Sequence, residues 1–387
     1  MLLLRRNKQI SIYRRVLGSP TKKYYLSTIC CDIAKRILEI LLILLAISLL
    51  FVLVNFIIHK VKYKQEYNFL DELGYVNKYS AGDYDLNIYQ TGNKNSEYTI
   101  IGMSGLGVND YSIEMKYAIE DLDYNFVFID RAGYGYSDDT KIKQTTEQIV
   151  NDYRNALKSA GIEGPYILMP HSLGGVYATY WESMYPEEIE GLIMIDTSEL
   201  GIDIFNDEEY KISTIDYLEL YGSKIGLGRM LLHNYYYKLP SIYSNDDNKI
   251  ADSLNIKSLV SYAKLSEEKE INNNANIAYE SIVTNNIPKV YICSNSGFTT
   301  IEELKEYSTW VTKRQKELGL PSSETPNDDT LEEILLQYSK WREEKINPYI
   351  EKLGNTDIVL LPGDHYIFGQ KPNELAEIIK EFVNNLN

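Results

Sequence analysis

The sequence contains few cysteines and few histidines, and both shortages limit the chemistry available to the protein. Three cysteines in 387 residues are too few for a disulfide-stabilised domain, and no CxxC pair or Cys/His spacing typical of metal ligands is present. We therefore expect neither a disulfide framework nor a metal site. Four histidines leave a short set of candidates for a catalytic base.

Basic residues are scarce in most of the chain. Residues 1–64 contain 12 Lys and Arg against only Asp32 and Glu39, whereas residues 65–387 contain 27 basic and 53 acidic residues. Proteins that bind nucleic acids rely on Lys and Arg to neutralise phosphates. The acidic body of the chain therefore predicts that nucleic acid is not a partner.

One long apolar run stands near the N-terminus, from Ile37 to Ile58, and its only charged residue is Glu39. As a helix it is long enough to cross the hydrocarbon layer of a membrane, which is about 30 Å thick. A soluble core helix would show polar residues at every third or fourth position, and only Ser48 and Asn55 occur here. A cleaved signal peptide would have a shorter apolar region and a small-residue cleavage site. The run therefore predicts an uncleaved transmembrane helix over residues 37–58.

The cations around this run predict its orientation. Nine Lys and Arg precede it and three lysines follow it, and the side richer in cations usually faces the cytoplasm. We expect a single-pass protein of the cell membrane, with a basic cytoplasmic tail over residues 1–36. The domain over residues 65–387 is then extracellular.

The pattern of this domain predicts an α/β fold with a mostly parallel sheet and helices on both faces, because strand-like and helix-like segments alternate. An antiparallel hairpin, Lys78–Tyr79 with Asp85–Tyr89, leads into it. The other predicted strands are Tyr98–Met103, Phe126–Asp130, Tyr166–Met169, Gly191–Ile195, Lys289–Cys293 and Asp357–Leu361. Between strands, amphipathic stretches such as Thr146–Ala160 predict helices. Two gaps between strands are too long for simple connections, and they predict a helical lid over about 200–285 and a second helical insertion over about 298–353. The second insertion is predicted to contain two helices, Glu302–Leu318 and Thr330–Leu353.

The segment after the strand Tyr166–Met169 carries the main chemical signal. It reads Pro-His-Ser-Leu-Gly-Gly over residues 170–175 and leads into a helix. A serine in a sharp turn between a strand and a helix is lifted clear of the sheet, and neighbouring glycines let the backbones pass closely. The helix N-terminus also offers an N–H donor where an oxyanion forms. The pattern predicts Ser172 as a nucleophile.

Over about residues 76–387 the chain resembles the α/β-hydrolase family, whose usual elbow is Gly-x-Ser-x-Gly. Pro170 stands here in place of the first glycine. Residues 130–137, Asp-Arg-Ala-Gly-Tyr-Gly-Tyr-Ser, resemble the family's Asp-Arg-x-Gly-x-Gly-x-Ser loop. The role implied for that loop is structural, with no catalytic part for Asp130 or Arg131.

The resemblance also implies an oxyanion hole. Residues 100–107, Ile-Ile-Gly-Met-Ser-Gly-Leu-Gly, occupy the place where the family has a strand ending in His-Gly, with Ser104 in the position of the His. The implied donors are the backbone N–H groups of Leu106 and Leu173. Backbone donors tolerate changes of side chain, so Ser104 does not conflict with this role.

His365 is the candidate general base, because it follows the last predicted strand as the family's catalytic histidine does. The acid is less well defined by the sequence. The strand before the last, Lys289–Cys293, is followed by no carboxylate, so the alternative family position, Asp196 after the strand Gly191–Ile195, is preferred. Three glutamates remain as alternatives for the acid: Glu199, Glu302 and Glu303.

The predicted function is that of a serine hydrolase which cleaves an ester, thioester, lactone or small amide through an acyl-enzyme and needs no cofactor. The predicted partner is a small acyl substrate, partly apolar because the lid region is rich in Tyr and Leu. A haloalkane or epoxide hydrolase is disfavoured, since those family members have Asp where Ser172 stands. The alternative is a membrane-tethered binding or sensory domain that kept the fold and lost the chemistry.

Overall fold

A computed structural model describes residues 22–201, 211–232 and 238–386. His233 and the tyrosines 235–237 of the predicted lid lie outside these residues. The chain divides into a first unit that ends at His59 and a second unit over Lys60–Asn387.

A long helix, α1 (Lys22–Glu72), contains the whole apolar run. Among the described residues it is the one helix that is long and apolar enough to cross a membrane, and its most apolar stretch is exposed. The last turns of α1 belong to the second unit, where Leu70 is completely buried and Glu66 accepts two hydrogen bonds from Arg229 at 2.5 and 2.6 Å. These turns are therefore part of the folded domain.

Within the described residues, the second unit contains one sheet of eight strands in the order β1-β2-β4-β3-β5-β6-β7-β8. β2 pairs antiparallel with β1 and with β4, and every other pairing is parallel. The strands are β1 (Lys78–Ser80), β2 (Asp85–Gly92), β3 (Thr99–Met103), β4 (Asn125–Ile129), β5 (Tyr166–Pro170), β6 (Ile189–Ile195), β7 (Lys289–Cys293) and β8 (Thr356–Leu360). The predicted fold class is confirmed, and each predicted strand overlaps an observed one.

Helices cover both faces of the sheet and pack against it through apolar residues at helical spacing. On one face α13 (Pro372–Asn384) buries Leu375, Ile379 and Val383, each worth about 1.5–3 kcal/mol of hydrophobic stabilisation. The helices after α1 are α2 (Tyr111–Glu114), α3 (Lys116–Ile119), α4 (Thr146–Ala160), α5 (Gly174–Met184), α6 (Thr214–Lys224), α7 (Leu227–Leu232), α8 (Asn245–Lys257), α9 (Tyr262–Ser281), α10 (Ile301–Glu317), α11 (Asp328–Trp341), α12 (Asn347–Leu353) and α13 (Pro372–Asn384).

The sequence predicts one helix over residues 330–353, and the structure differs there. Helix α11 is followed by a π-helical turn, Arg342–Ile346, and then by α12. Pro348 lies in the first turn of α12, cannot donate an amide hydrogen bond, and clashes with the preceding turn of a regular α-helix. The wider π turn directly before it accommodates the proline.

The parallel strands determine where the loops meet. The carboxyl ends of β3, β5, β6, β7 and β8 lie at the same edge of the sheet, which is where α/β proteins place their ligand sites. The loops that follow these strands contain all of the residues predicted for catalysis.

Candidate active site

Ser172 lies in a tight turn between β5 and α5 and is half-buried. Its backbone φ is +51°, a value that costs energy for a residue with a side chain and that clusters at functional sites. The turn depends on small neighbours. A Cβ on Gly174 would lie 2.4 Å from the carbonyl oxygen of Met103, and one on Gly175 would lie 2.6 Å from Cβ of Thr197. Larger residues at either position would therefore push the elbow away from its neighbours.

His365 and Asp196 face each other across the edge of the sheet. His365 follows β8, Asp196 follows β6, and Nδ1 of the histidine lies 2.6 Å from Oδ2 of the aspartate. The other carboxylate oxygen, Oδ1, accepts the N–H groups of Ser294 at 2.8 Å and Asn295 at 3.1 Å. Three hydrogen bonds therefore orient the carboxylate and present it to the imidazole.

The pKa of His365 reflects this contact. Burial lowers it, but the hydrogen bond to Asp196 and the charge of that carboxylate outweigh burial, so the pKa lies above the usual 6.5. Since Asp196 occupies Nδ1, the remaining ring nitrogen, Nε2, is available for proton transfer. The imidazole therefore has the electrostatic setting of a general base.

The histidine beside the nucleophile, His171, connects the two loops. Its Nε2–H donates to the backbone carbonyl of His365 at 3.0 Å, and the centroids of the two rings are 4.5 Å apart. Burial, followed by the proximity of His365, lowers the pKa of His171 to about 3. His171 is therefore neutral. Because it directly precedes Ser172 in the chain, its hydrogen bond to the carbonyl of His365 joins the loop of the base to the loop of the nucleophile.

The three glutamates considered as alternative acids have other contacts. Glu303 accepts the backbone N–H groups of Thr299 and Thr300 in the cap of α10, and Glu302 is exposed on the first turn of the same helix. Glu199 accepts from the indole N–H of Trp341 at 3.1 Å and from the hydroxyl of Tyr291 at 3.3 Å. The structure thus places Asp196, and none of these glutamates, in hydrogen-bond contact with Nδ1 of His365.

The loop after β3 lies directly against Ser172. A Cβ on Gly105 would be 3.0 Å from Cβ and 3.5 Å from Oγ of the serine. Within the described part of the chain, no protein acceptor takes the N–H of Leu106 or of Leu173, and Leu173 caps the N-terminus of α5. Both amides are therefore available to an oxyanion beside Ser172.

Arg131 holds this loop in place. The sequence predicts a structural role for the loop that contains Arg131, but it does not indicate which groups the arginine contacts. Its guanidinium donates to the carbonyl oxygens of Ser104 at 2.6 Å and Gly105 at 2.8 Å. In a trans peptide the N–H points opposite to the C=O. With the carbonyl of Gly105 turned toward Arg131, the N–H of Leu106 points away from the arginine.

A buried carboxylate on α9 supports Arg131 in turn. Oε1 of Glu267 lies 2.9 Å from Nε of Arg131, and both side chains are at most 2% exposed. Glu267 also accepts the hydroxyls of Tyr134 and Tyr177, each at 2.6 Å. The hydroxyl of Tyr134 accepts the N–H of Gly107 at 3.2 Å. The sequence contains one signal for this network, an arginine at the end of a buried strand, but no signal for its partner 136 positions later.

Replacing Glu267 with alanine should therefore destabilise the domain. The guanidinium of Arg131 would remain buried without its carboxylate, which typically costs about 3–5 kcal/mol. Urea unfolding of the full chain in detergent, monitored by circular dichroism, measures the loss. Glu280→Ala on the exposed side of the same helix is the matched control. A loss for Glu267→Ala no larger than for this control would contradict the assigned role.

Beside the histidine lies a cavity of about 410 Å³, which we call the Glu199 cavity. It contains polar and aromatic side chains from the loops after β6 and β7 and from α11. Its lining residues are Asp196, Thr197, Ser198, Glu199, Asn295, Ser296, Gln337, Tyr338, Trp341 and His365. Among the residues that the structure describes, no cluster of His, Cys, Asp or Glu has the arrangement of a metal site.

Comparison with known proteins agrees with this architecture. Residues 101–220 match a family model described as the alpha/beta hydrolase fold, and this segment includes Ser172 and Asp196. The chain is 29% identical over 230 residues to the uncharacterized protein YbdG of Bacillus subtilis (strain 168). The aligned residues make up 57% of this chain and 69% of that protein.

Two solved structures share the fold at low sequence identity. The epoxide hydrolase VrEH1 from Vigna radiata has a TM-score of 0.52 at 14% identity, and the superposition covers 80% of this chain and 97% of the VrEH1 chain. The haloalkane dehalogenase DatA from Agrobacterium tumefaciens C58 has a TM-score of 0.51 at 12% identity, with 80% and 96% covered. At these identities the likeness concerns the fold alone.

Proposed function

We propose, from the α/β-hydrolase fold that this chain has, that it is a serine hydrolase which cleaves an ester, thioester, lactone or small amide. The observation that carries the proposal is the 2.6 Å contact between Asp196 and His365 at the edge of the sheet where a strained Ser172 lies. Nucleophile, acid and base follow in the chain order Ser, Asp, His, which is the order typical of enzymes with this fold.

In the proposed mechanism His365 removes the proton from Oγ of Ser172 as the oxygen attacks the acyl carbon. The developing oxyanion accepts the N–H groups of Leu106 and Leu173, which need not reorganise because the loop and the helix already hold them. His365 then donates the proton to the leaving group. Asp196 keeps the imidazole in the required tautomer and stabilises its cation.

The second half of the reaction repeats these steps with water. His365 removes a proton from a water molecule, the resulting hydroxide attacks the acyl-enzyme, and the proton returns to Oγ of Ser172. Besides the substrate and water, these steps use protein groups. We expect the substrate to bind in the Glu199 cavity, which His365 lines.

The proposal is tested by fluorophosphonate labelling of the full chain in detergent, with turnover of p-nitrophenyl esters measured in parallel. An activated serine reacts with the probe, and mass spectrometry of the labelled peptide should place it on Ser172. A folded protein that neither takes up the probe nor cleaves the esters would instead be a binding or sensory domain, the alternative to which Pro170 and Ser104 point.

We also propose that α1 anchors the domain in the cell membrane, with the basic N-terminal tail in the cytoplasm. The apolar run is exposed along its length, and hydrocarbon is the solvent that such a surface requires. The full chain should then stay with membranes washed in alkaline carbonate and dissolve only in detergent. Protease added to intact cells should digest the domain. Release by carbonate would contradict anchoring, and protection from protease would contradict the orientation.

A further inference from the structure

The side chains that line the Glu199 cavity include acidic residues but no lysine or arginine of the described chain. The lining residues that can carry a charge near neutral pH are Asp196, Glu199 and His365. The carboxylate of Asp196 is already stabilised by hydrogen bonds from His365 and from two backbone N–H groups. Glu199 is therefore the carboxylate whose charge the cavity leaves uncompensated.

Glu199 is half-buried, and its contacts differ from those of two fully buried glutamates, Glu182 and Glu267. Glu267 pairs with Arg131, and Glu182 pairs with Lys289 at 3.2 Å. Among the described residues, the side-chain donors to Glu199 are the uncharged Trp341 and Tyr291, and its salt-bridge distance of 4.0 Å contains no described basic side chain. Burial raises the pKa of Glu199, and the negative charge of Asp196 acts in the same direction. Partial removal of a carboxylate from water costs free energy when no cation lies beside it, and a cationic ligand offsets that cost.

Two aromatic residues of α11 line the same cavity. The indole N–H of Trp341 donates to Glu199, which ties the ring to the carboxylate. The ring of Tyr338 stacks on Phe298 with a centroid distance of 5.8 Å and an interplanar angle of 24°, so one face is covered by the protein. Aromatic faces beside a carboxylate favour organic cations, because the ring quadrupole and the negative charge attract the same ligand.

We propose that the Glu199 cavity binds an alkylammonium group, and that the substrate of the hydrolase carries this cation near its scissile acyl bond. The substrate part of this inference rests on the proposed function, whereas the binding of the cation does not. A cavity of about 410 Å³ is within the usual range for small-molecule sites, about 300–1,000 Å³. A carboxylate or phosphate on the substrate would be repelled by the same residues.

The binding part is tested without catalysis, by titration calorimetry of the full chain in detergent at low ionic strength. Choline is the probe, and 3,3-dimethylbutan-1-ol, which has carbon in place of nitrogen, is its neutral counterpart. Choline should bind at least about tenfold more tightly than the alcohol, as expected for a cation held by a carboxylate and aromatic rings. Glu199→Gln should remove this preference. Glu302→Gln, which removes the same charge from the exposed start of α10, should keep it.

The substrate part is tested with a matched pair of thioesters, S-acetylthiocholine and the S-acetyl derivative of 3,3-dimethylbutane-1-thiol. The rate of hydrolysis is measured from the free thiol that is released. The ratio of kcat/KM for the cationic over the neutral ester should be about ten or more. It should fall toward one in Glu199→Gln and stay high in Glu302→Gln. Equal turnover of the two esters by the unmodified chain would overturn the inference and leave the hydrolase intact. Choline binding without hydrolysis of either ester would instead overturn the proposed function and leave the cation site standing.

Discussion

Replacing Ser172 with alanine should lower kcat/KM for an activated ester by about 10⁶-fold, because the nucleophile and its base act as a unit and the loss of either removes covalent catalysis. The backbone of Ser172 has a φ of +51°, as expected of the sharp turn that exposes the hydroxyl of a nucleophilic serine above the sheet. The residual rate would come from substrate binding and from the amides of Leu106 and Leu173. Turnover of a p-nitrophenyl ester and labelling by a fluorophosphonate measure the effect.

The matched control is Ser183→Ala, on the helix that Ser172 precedes. It should retain both labelling and turnover. Circular dichroism of the Ser172→Ala protein should be unchanged, since alanine removes one oxygen atom from a half-buried position. Persistent labelling of Ser172→Ala would show that another residue is the nucleophile, and the proposed mechanism would fail.

Replacing Asp196 with asparagine should lower kcat by about 10³–10⁴-fold, because an amide fails to hold the required tautomer of His365 and does not stabilise its cation. Asp196 provides the shortest side-chain contact to the imidazole, at 2.6 Å. Its other oxygen has two backbone donors, so the asparagine would stay in place but present a different hydrogen-bond pattern.

The same variant should change the pH dependence of the reaction. His365 accepts a proton only when neutral, so kcat/KM of the unmodified enzyme rises with pH through the pKa of this residue. Asp196 holds that pKa above 6.5, while burial acts in the opposite direction. Without the carboxylate charge the pKa falls, and the acid limb of the profile should move to lower pH.

Asp364 gives a graded comparison for this shift. Its charge also raises the pKa of His365, but less than Asp196 does, and it is not hydrogen-bonded to the ring. Asp364→Asn should therefore move the acid limb in the same direction by a smaller amount and leave kcat nearly unchanged. An acid limb that stays in place in Asp196→Asn would mean that the observed ionisation belongs to a group other than His365.

Much of the architecture was readable from the sequence, because strands and helices are encoded by local periodicity. Each predicted strand overlaps an observed strand, and α4 begins and ends at the predicted residues, Thr146 and Ala160. The exception is the helix after α11, where Pro348 requires a π turn. A proline's effect on a helix depends on how the surrounding turns adjust, and periodicity does not report that adjustment.

The candidate site divides in a similar way. Ser172 and His365 were predicted from short motifs, since a tight turn and a position after the last strand are local properties. The choice between Asp196 and Glu199, only three positions apart, was open in the sequence. The geometry separates them, because the chain turns at Asp196 with a φ of +42° and the two carboxylates contact different groups. Whether Asp196 serves as the acid is what the asparagine variant tests.

By itself, the sequence determined the order of the elements, the apolar run, and the residues that end each strand, because all of these depend on neighbours along the chain. The tertiary structure decided which strand ends lie next to each other, and so which side chains meet. It paired Arg131 with Glu267 and left Glu199 without a basic partner among the described residues. Such contacts join residues far apart in sequence, and only the packing of the sheet and its helices brings their atoms within hydrogen-bond distance.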